Sequence, residues 1–267
     1  MNANTQAVAT EPLLLRQDDG GVVTLTLNRP AQFNSLSRSL MSELQAQLEG
    51  IAADAGARVV VLAGAGKAFC AGHDLKEMRS NPAKAFQRAL FGQCSKLMLT
   101  LVRMPQPVIA RVHGIATAAG CQLVSMCDLA VASDNSRFAV SGVNLGLFCS
   151  TPSVGLARNL GRKQALEMLL TGDFIDAETA LARGLVNRVV PFAQLDAEIK
   201  KLTDSVLAKT PVAIKAGKQM FYRQLEMGLE EAYELASEVM ACNMMAEDAQ
   251  EGIDAFVAKR KPQWKGR

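Results

Sequence analysis

The chain is poor in the side chains that usually announce a site. It has only two histidines, and its six cysteines, at positions 70, 94, 121, 127, 149 and 242, keep none of the spacings of a metal site or a dithiol redox motif. No metal-ligating set is expected from them; they read as small buried hydrophobes in a reducing compartment. An excess of charge of one sign is missing as well. Twenty-nine Lys and Arg face twenty-six Asp and Glu, a formal net charge of +3, and no block of like charge forms a tail. Lys200, Lys201, Lys209, Lys215 and Lys218 are interspersed with apolar residues and lack an aromatic platform, so no nucleic-acid partner is expected. No apolar run approaches the ~20 residues of a membrane span. The opening MNANTQAVATEPLLLRQDDGG has neither a basic stretch followed by an apolar one nor the Arg-rich, acid-free character of a transit peptide. The expectation is a soluble, cytoplasmic protein.

What is present is material for a large core: 49% of the 267 residues are hydrophobic. "GVVTLTLN" (21–28) alternates as a strand. Ser37 is placed to cap a helix through "LMSELQAQLEGIAAD". "RVVVLAGAG" (58–66) and "PVIARVHG" (107–114) are short continuous apolar runs, as in buried parallel strands. A long helix is predicted over 83–103, ended by Pro105 and Pro107, and "DLAVAS" (128–133) reads as another strand. The alternation implies an α/β core with adjacent parallel strands. From about 149 the pattern is mostly helical, with helices predicted over 196–208, 211–224, 229–246 and 248–258 and a strand only at "LVNRVV" (185–190). Residues 1–11 are expected to be disordered, 12–195 to form the core, and 196–267 to be helical and dock on the core or on a neighbour.

Two corners after buried strands are rich in small residues: "GKAFCAGHDLKEM" (66–78) and "GIATAAGCQL" (114–123). Corners at the carboxyl ends of parallel strands line the site in α/β proteins. Small residues let a ligand approach backbone N–H groups, and two such groups from two loops would make an oxyanion hole. Tight helix–sheet packing alone is the competing explanation.

Together "VVVLAGAGKAFCAGHDLKEM", "PVIARVHGIATAAGCQLVSMCDLAVAS", "GLVNRVV" and "EGIDAFVAKRKPQW" resemble the enoyl-CoA hydratase/isomerase family, the crotonase superfamily, in order and spacing from about residue 12 to 265. The resemblance implies stacked ββα turns, a C-terminal helical trimerisation region, a homo-trimer or hexamer, and lyase-type chemistry of fatty-acid metabolism on an acyl-CoA thioester. Coenzyme A would enter as part of the substrate, with no separate cofactor. Carried over, the two oxyanion N–H groups fall on His73 and Ala119, with Gly120 the neighbouring choice of register. Ala71, Asp74, Leu75 and Lys76 match the stretch that lines CoA, and Lys259 matches a cation near its nucleotide.

The sequence departs from the family at the acid–base pair. Hydratases place one glutamate in a "GGGCE" pattern and another in a "PE" pattern; the matching residues here are Gln122 and Gly142. Neither side chain transfers a proton near neutral pH, so hydration by paired carboxylates is not expected. Within the family, "GHDLKEM" and "GVNLGLFCSTP" resemble a group that shares this loss. The remaining candidates are the His73 side chain, as a proton carrier or merely a cap on the loop, and Gln122 or Asn144 as hydrogen-bonding partners of a departing carboxylate. Decarboxylation, thioester hydrolysis and binding without turnover stay open. Cys149, Ser150 and Thr151 read as a helix start capped by a hydroxyl, Asp128 as a strand cap or ion-pair partner, and His113 as a support behind the second loop.

Overall fold

The computed structural model describes residues 11–267. Residues 1–10, most of the segment expected to be disordered, lie outside them. Strand β1 (Leu14–Asp19) turns through Gly20 and Gly21, at φ 54° and 89°, into the antiparallel β2 (Val22–Leu27). Left-handed backbone of this kind favours glycine, which has no Cβ to clash. Helix α1 (Arg38–Ala53) follows, with the Ser37 hydroxyl accepting from Leu40 N as expected. Next come β3 (Val59–Gly64), the short α2 (Leu75–Ser80) and the long α3 (Lys84–Arg103).

The middle of the chain then repeats a unit of strand, short strand and helix. It runs β4 (Val108–Val112), β5 (Ile115–Thr117) and α4 (Ala119–Met126), then β6 (Leu129–Ser133), β7 (Arg137–Ala139) and α5 (Ser150–Asn159). Helix α6 (Arg162–Thr171), β8 (Ile175–Asp176), α7 (Ala177–Ala182) and β9 (Arg188–Val190) complete the core. Helices α8 (Leu195–Leu207), α9 (Pro211–Gln224), α10 (Leu229–Met244) and α11 (Glu247–Val257) end the chain.

Six strands form the main sheet in the order β1-β2-β3-β4-β6-β9, parallel from β2 onward. A second sheet, β5-β7-β8, carries the short strands. The continuous apolar runs are explained by burial on both faces. Val60 and Leu62 of β3 join the main core with Leu40, Leu44 and Leu97. Val59 and Val61 pack with Ile109, Val131, Leu195 and Ile199 beneath α8. Each fully buried side chain of this kind contributes roughly 1.5–3 kcal/mol of transfer free energy.

The C-terminal helices attach differently: α9 and α10 contain no fully buried residue. One polar clamp holds α9 down. Lys218 Nζ donates to Asp128 Oδ2 at 2.6 Å and to the carbonyls of Leu101 and Gln106 at 2.8 Å. Tyr222 donates to Asp128 Oδ1, and Asp128 Oδ2 also accepts from Val108 N. Asp128 thus both caps β4 and pairs with a cation. Lys218 is spent in this clamp, and Lys200 and Lys201 pair with Asp204 and Glu198 of their own helix. No helix among the described residues is long and apolar enough to cross a membrane.

Candidate active site

The site grows from the two glycine-rich corners, and a third loop holds the first of them in place. In "RPAQFNSLS", Phe33 and Asn34 both adopt left-handed backbone, at φ 49° and 55°. Asn34 is fully buried; its Nδ2 donates to the carbonyls of Ala65 and Ala68, and its Oδ1 accepts from Arg29 N. The Phe33 carbonyl accepts from Ala71 N, and Leu36 N donates to the Gly72 carbonyl at 2.7 Å. Arg29 then reaches Asp74 Oδ2 at 2.9 Å, while Asp74 Oδ1 accepts from the N–H groups of Lys76 and Glu77 and so starts α2. Burial alone would raise the Asp74 carboxyl; the Arg29 hydrogen bond and these backbone donors hold it below its ordinary value. This buttress was not read in the sequence. The only sign of it there was an asparagine in a loop, a residue type that tolerates left-handed backbone.

Leu36 and His73 form an isolated parallel bridge. Its hydrogen bonds are carried by the neighbours Gly72 and Asp74, which leaves the His73 N–H facing the other way with no acceptor among the described residues. The second corner comes up against it. A Cβ at Gly72 would lie 2.9 Å from Ala118 Cβ and 3.3 Å from Ala119 N. A Cβ at Gly120 would lie 2.0 Å from the Cys70 carbonyl oxygen, so only glycine allows this approach. Ala119 opens α4, where a first-turn N–H has no intrahelical acceptor. Just before it, Ala118 stands at φ 50°, ψ −119°, a conformation that favours glycine. The two loops that carry these N–H groups therefore touch at Gly72 and Ala118, beside a strained backbone turn.

The side chains around them are neutral. Both ring nitrogens of His73 are buried and lack a hydrogen-bond partner among the described residues. Burial pushes the imidazole below its ordinary pKa, with the nearby Leu36 backbone opposing in part. The ring meets Phe91 of α3 edge to face, centroids 5.5 Å apart. Gln122 is 4% exposed, and its Oε1 faces the Cys94 thiol at 3.9 Å. Burial pushes the thiols of Cys70, Cys94 and Cys121 up to about 12, so they stay protonated.

Gly142 lies in the 3-10 turn Ser141–Leu145, and its N–H donates to Cys149 Sγ at 3.3 Å. A Cβ there would meet the Leu147 carbonyl oxygen at 2.5 Å and Cys149 Sγ at 2.7 Å. The position is a closed turn rather than a hydratase site with its carboxylate trimmed away. Asn144, a candidate partner for a departing carboxylate, is exposed and packs beside Gly172, away from Gln122. Helix α5 starts at Ser150 as expected, but neither Ser150 nor Thr151 caps it; the Ser150 hydroxyl donates to the Phe148 carbonyl.

Ala71 is half-buried at the start of the first loop, and Leu75 and Lys76 are exposed along α2, an open rim. Lys259 belongs to the C-terminal arm, where its backbone is left-handed at φ 51°. It follows α11, whose surroundings are tied to the end of α8: Asp248 accepts from the Thr210 hydroxyl, and Trp264 Nε1 donates to the Ala208 carbonyl. His113 Nε2 donates to the Gly66 carbonyl at 2.8 Å, so it supports the first corner rather than the second. Among the described residues, no group of three or more His, Cys, Asp or Glu is placed to hold a metal ion.

Comparison with known proteins agrees with this architecture. Residues 17–267 match the family described as Enoyl-CoA hydratase/isomerase. The Xenopus laevis protein named enoyl-CoA hydratase domain-containing protein 3, mitochondrial, is 46% identical over 253 residues, covering 95% of this chain and 86% of the relative. A crystal structure of an enoyl-CoA hydratase from Mycobacterium smegmatis is 57% identical with a TM-score of 0.94, covering 95% of this chain and 99% of that one. The crystal structure of human enoyl-CoA hydratase domain-containing protein 3 is 43% identical with a TM-score of 0.92, covering 95% and 100%. The cytoplasmic expectation, drawn from the character of the first twenty-one residues and the lack of a membrane-length apolar run, is corrected by these relatives: the frog, mouse and human proteins are named mitochondrial. With the fold, the paired loops and the match over nearly its whole length, the chain belongs to the enoyl-CoA hydratase/isomerase family.

Proposed function

We propose that the chain binds an acyl-CoA thioester and stabilises the enolate of its acyl group through the N–H groups of His73 and Ala119. The observation that supports this reading is the close approach at Gly72 and Ala118 of the two loops that carry those N–H groups. A thioester oxygen gaining charge needs such donors already in place, and losing one costs roughly 3 kcal/mol of transition-state stabilisation. The CoA chain runs over Ala71, Asp74, Leu75 and Lys76, with Gly120 and Gly142 forming the walls where the acyl group enters. Coenzyme A arrives with the substrate, and the reading calls for no resident cofactor.

Hydration by two glutamates is not part of the proposal. Gln122 cannot ionise, and the Leu147 carbonyl and Cys149 leave no room for a side chain at Gly142. This same lack of carboxylates favours decarboxylation as the second reading, because loss of carbon dioxide generates the enolate without a base. Thioester hydrolysis draws no comparable support, since burial pushes the Cys149 thiol up and no base is hydrogen-bonded to it. His73, the titratable side chain beside the N–H pair, is the proton carrier in this reading, with Gln122 orienting the acyl group.

A homo-trimer or hexamer is the proposed assembly, with residues 196–267 as the contact region. It rests on exposed Leu229, Tyr233, Met240 and Phe256 along α10 and α11. Lys259, just past α11, would serve the nucleotide of the bound CoA.

The test is incubation of the purified chain with enoyl-, malonyl-type and saturated acyl-CoA esters, read by mass spectrometry. Gain of water, loss of carbon dioxide and release of free CoA identify hydration, decarboxylation and hydrolysis. Turnover unchanged in both His73→Ala and Gln122→Ala variants would refute the assigned roles. Binding without turnover of any ester would leave an acyl-CoA-binding protein.

A further inference from the structure

The two loops of the site are anchored unequally. Ala119 opens α4, a helix buried along almost its whole length, so its N–H is fixed by a packed element. The His73 peptide has no such frame. It lies three residues past the isolated Cys70–Ala116 bridge, where Cys70 N donates to the Ile115 carbonyl and Thr117 N to the Cys70 carbonyl. Between them Gly72 stands at φ 93°, and a glycine leaves the following peptide more freedom to turn than any other residue would. A donor that is to meet developing charge acts only when it is held in place beforehand.

One guanidinium spans the link that holds it. Leu36 N donates to the Gly72 carbonyl at 2.7 Å, and the Leu36 carbonyl accepts from Asp74 N at 3.1 Å, so both sides of His73 hang on one residue of the loop before. Arg29 ties the two strands of this link together. Its Nη1 donates to the Ser35 carbonyl at 2.6 Å and to the Ser35 hydroxyl at 3.2 Å, and its Nη2 donates to Asp74 Oδ2 at 2.9 Å. The residue before Leu36 is thereby joined to the residue after His73 by a rigid fork, a task suited to Arg rather than Lys. The Arg29 and Asp74 side chains are 16% and 15% exposed, so solvent screens this pair less than a surface one. The backbone of Arg29 is locked in turn: its N–H donates to Asn34 Oδ1, and its carbonyl accepts from Gln32 N and Asn34 N.

Resting on the reading proposed above, we infer that Arg29 is a positioning residue: through Ser35 and Asp74 its guanidinium sets the direction of the His73 N–H, and with it the grip on a thioester oxygen. The experiment is calorimetric titration of the full chain with butyryl-CoA and with the S-butyl thioether of CoA, in which a methylene replaces the carbonyl. The wild type is expected to prefer the thioester about tenfold, as two hydrogen bonds to one oxygen would give. Arg29→Met is expected to cut that preference to threefold or less while the thioether affinity stays within twofold. If Arg29 supports the fold alone, the variant lowers the urea midpoint and keeps the wild-type preference, which overturns the inference. Asp74→Asn keeps an acceptor at the start of α2 but loses the charge toward Arg29. It is expected to cut the preference as well, and any contact it loses with the CoA chain affects both ligands alike. It decides the matter should Arg29→Met fail to fold by circular dichroism. A preference that survives in the folded variants overturns this inference and leaves the oxyanion reading standing. No preference in the wild type, or no binding of either ligand, overturns both.

Discussion

His73 combines a backbone N–H that faces the site with an imidazole that has lost its water. Burial holds its pKa below the ordinary value near 6.5, so the unfolded chain takes up a proton in a pH range where the folded chain does not. Unfolding free energy therefore rises with pH between the folded and unfolded values. The His73 contribution is complete above about pH 6.5 and is lost as pH falls toward the folded value. Urea titrations from pH 5 to 8 should show this loss in the wild type and a shallower one in His73→Gln. With only two histidines in the chain, NMR should also find the His73 ring titrating below a free imidazole. At Ala118 the opposing terms are backbone strain of about 1–3 kcal/mol and the entropy cost of a glycine, roughly 0.5–1 kcal/mol. Strain is the larger, so Ala118→Gly should raise the unfolding free energy read from urea titration by about 1 kcal/mol. A fall would mean that the methyl group, which packs against the core, outweighs the strain.

Among the elements, the Lys218–Asp128 clamp is where the C-terminal arm meets the core. Lys218 is 7% exposed at its side chain, and burial lowers its pKa against the pull of Asp128. Removing one partner of a buried pair strands the other, at a cost of roughly 3–5 kcal/mol. Lys218→Met should destabilise the chain by about that amount, and hydrogen exchange should speed up first in α9. Adding Asp128→Asn to Lys218→Met should cost less than the sum of the two single changes. Buried strands were legible in the sequence as continuous apolar runs, and helices by their spacing and end signals whatever their burial. The ends of β3, α3, β4, α9 and α11 fall within two residues of the pattern. Strand β1 did not register, because "LLRQDD" is apolar only at its start and is exposed along the rest. The sheet β5-β7-β8 was missed for another reason: its strands are two or three residues long, too short for any period to show. Gly142 was legible as a missing carboxylate, but the turn that closes over it depends on Leu147 and Cys149 folding back, a tertiary contact.

At the scale of the whole molecule, one end is finished and the other is open. The sheet and helices α1, α3 and α4 enclose a continuous core, while Phe256 is 85% and Leu229 78% exposed. A surface of that character marks an association site. Sedimentation should find a multiple of the 28.6 kDa chain, and Phe256→Glu with Leu229→Glu should shift it toward the single chain.

The distribution of thiols turns this surface into something that can be watched. Five of the six cysteines are buried, and Cys242 alone is exposed, on α10. A maleimide should consequently react rapidly with one equivalent per chain and only slowly with the rest. A fluorophore placed there sits on α10, across the helix from the Leu229, Tyr233 and Met240 stripe. Its anisotropy against protein concentration, high when assembled and lower on dilution, would report association in real time without altering the loops that hold the substrate.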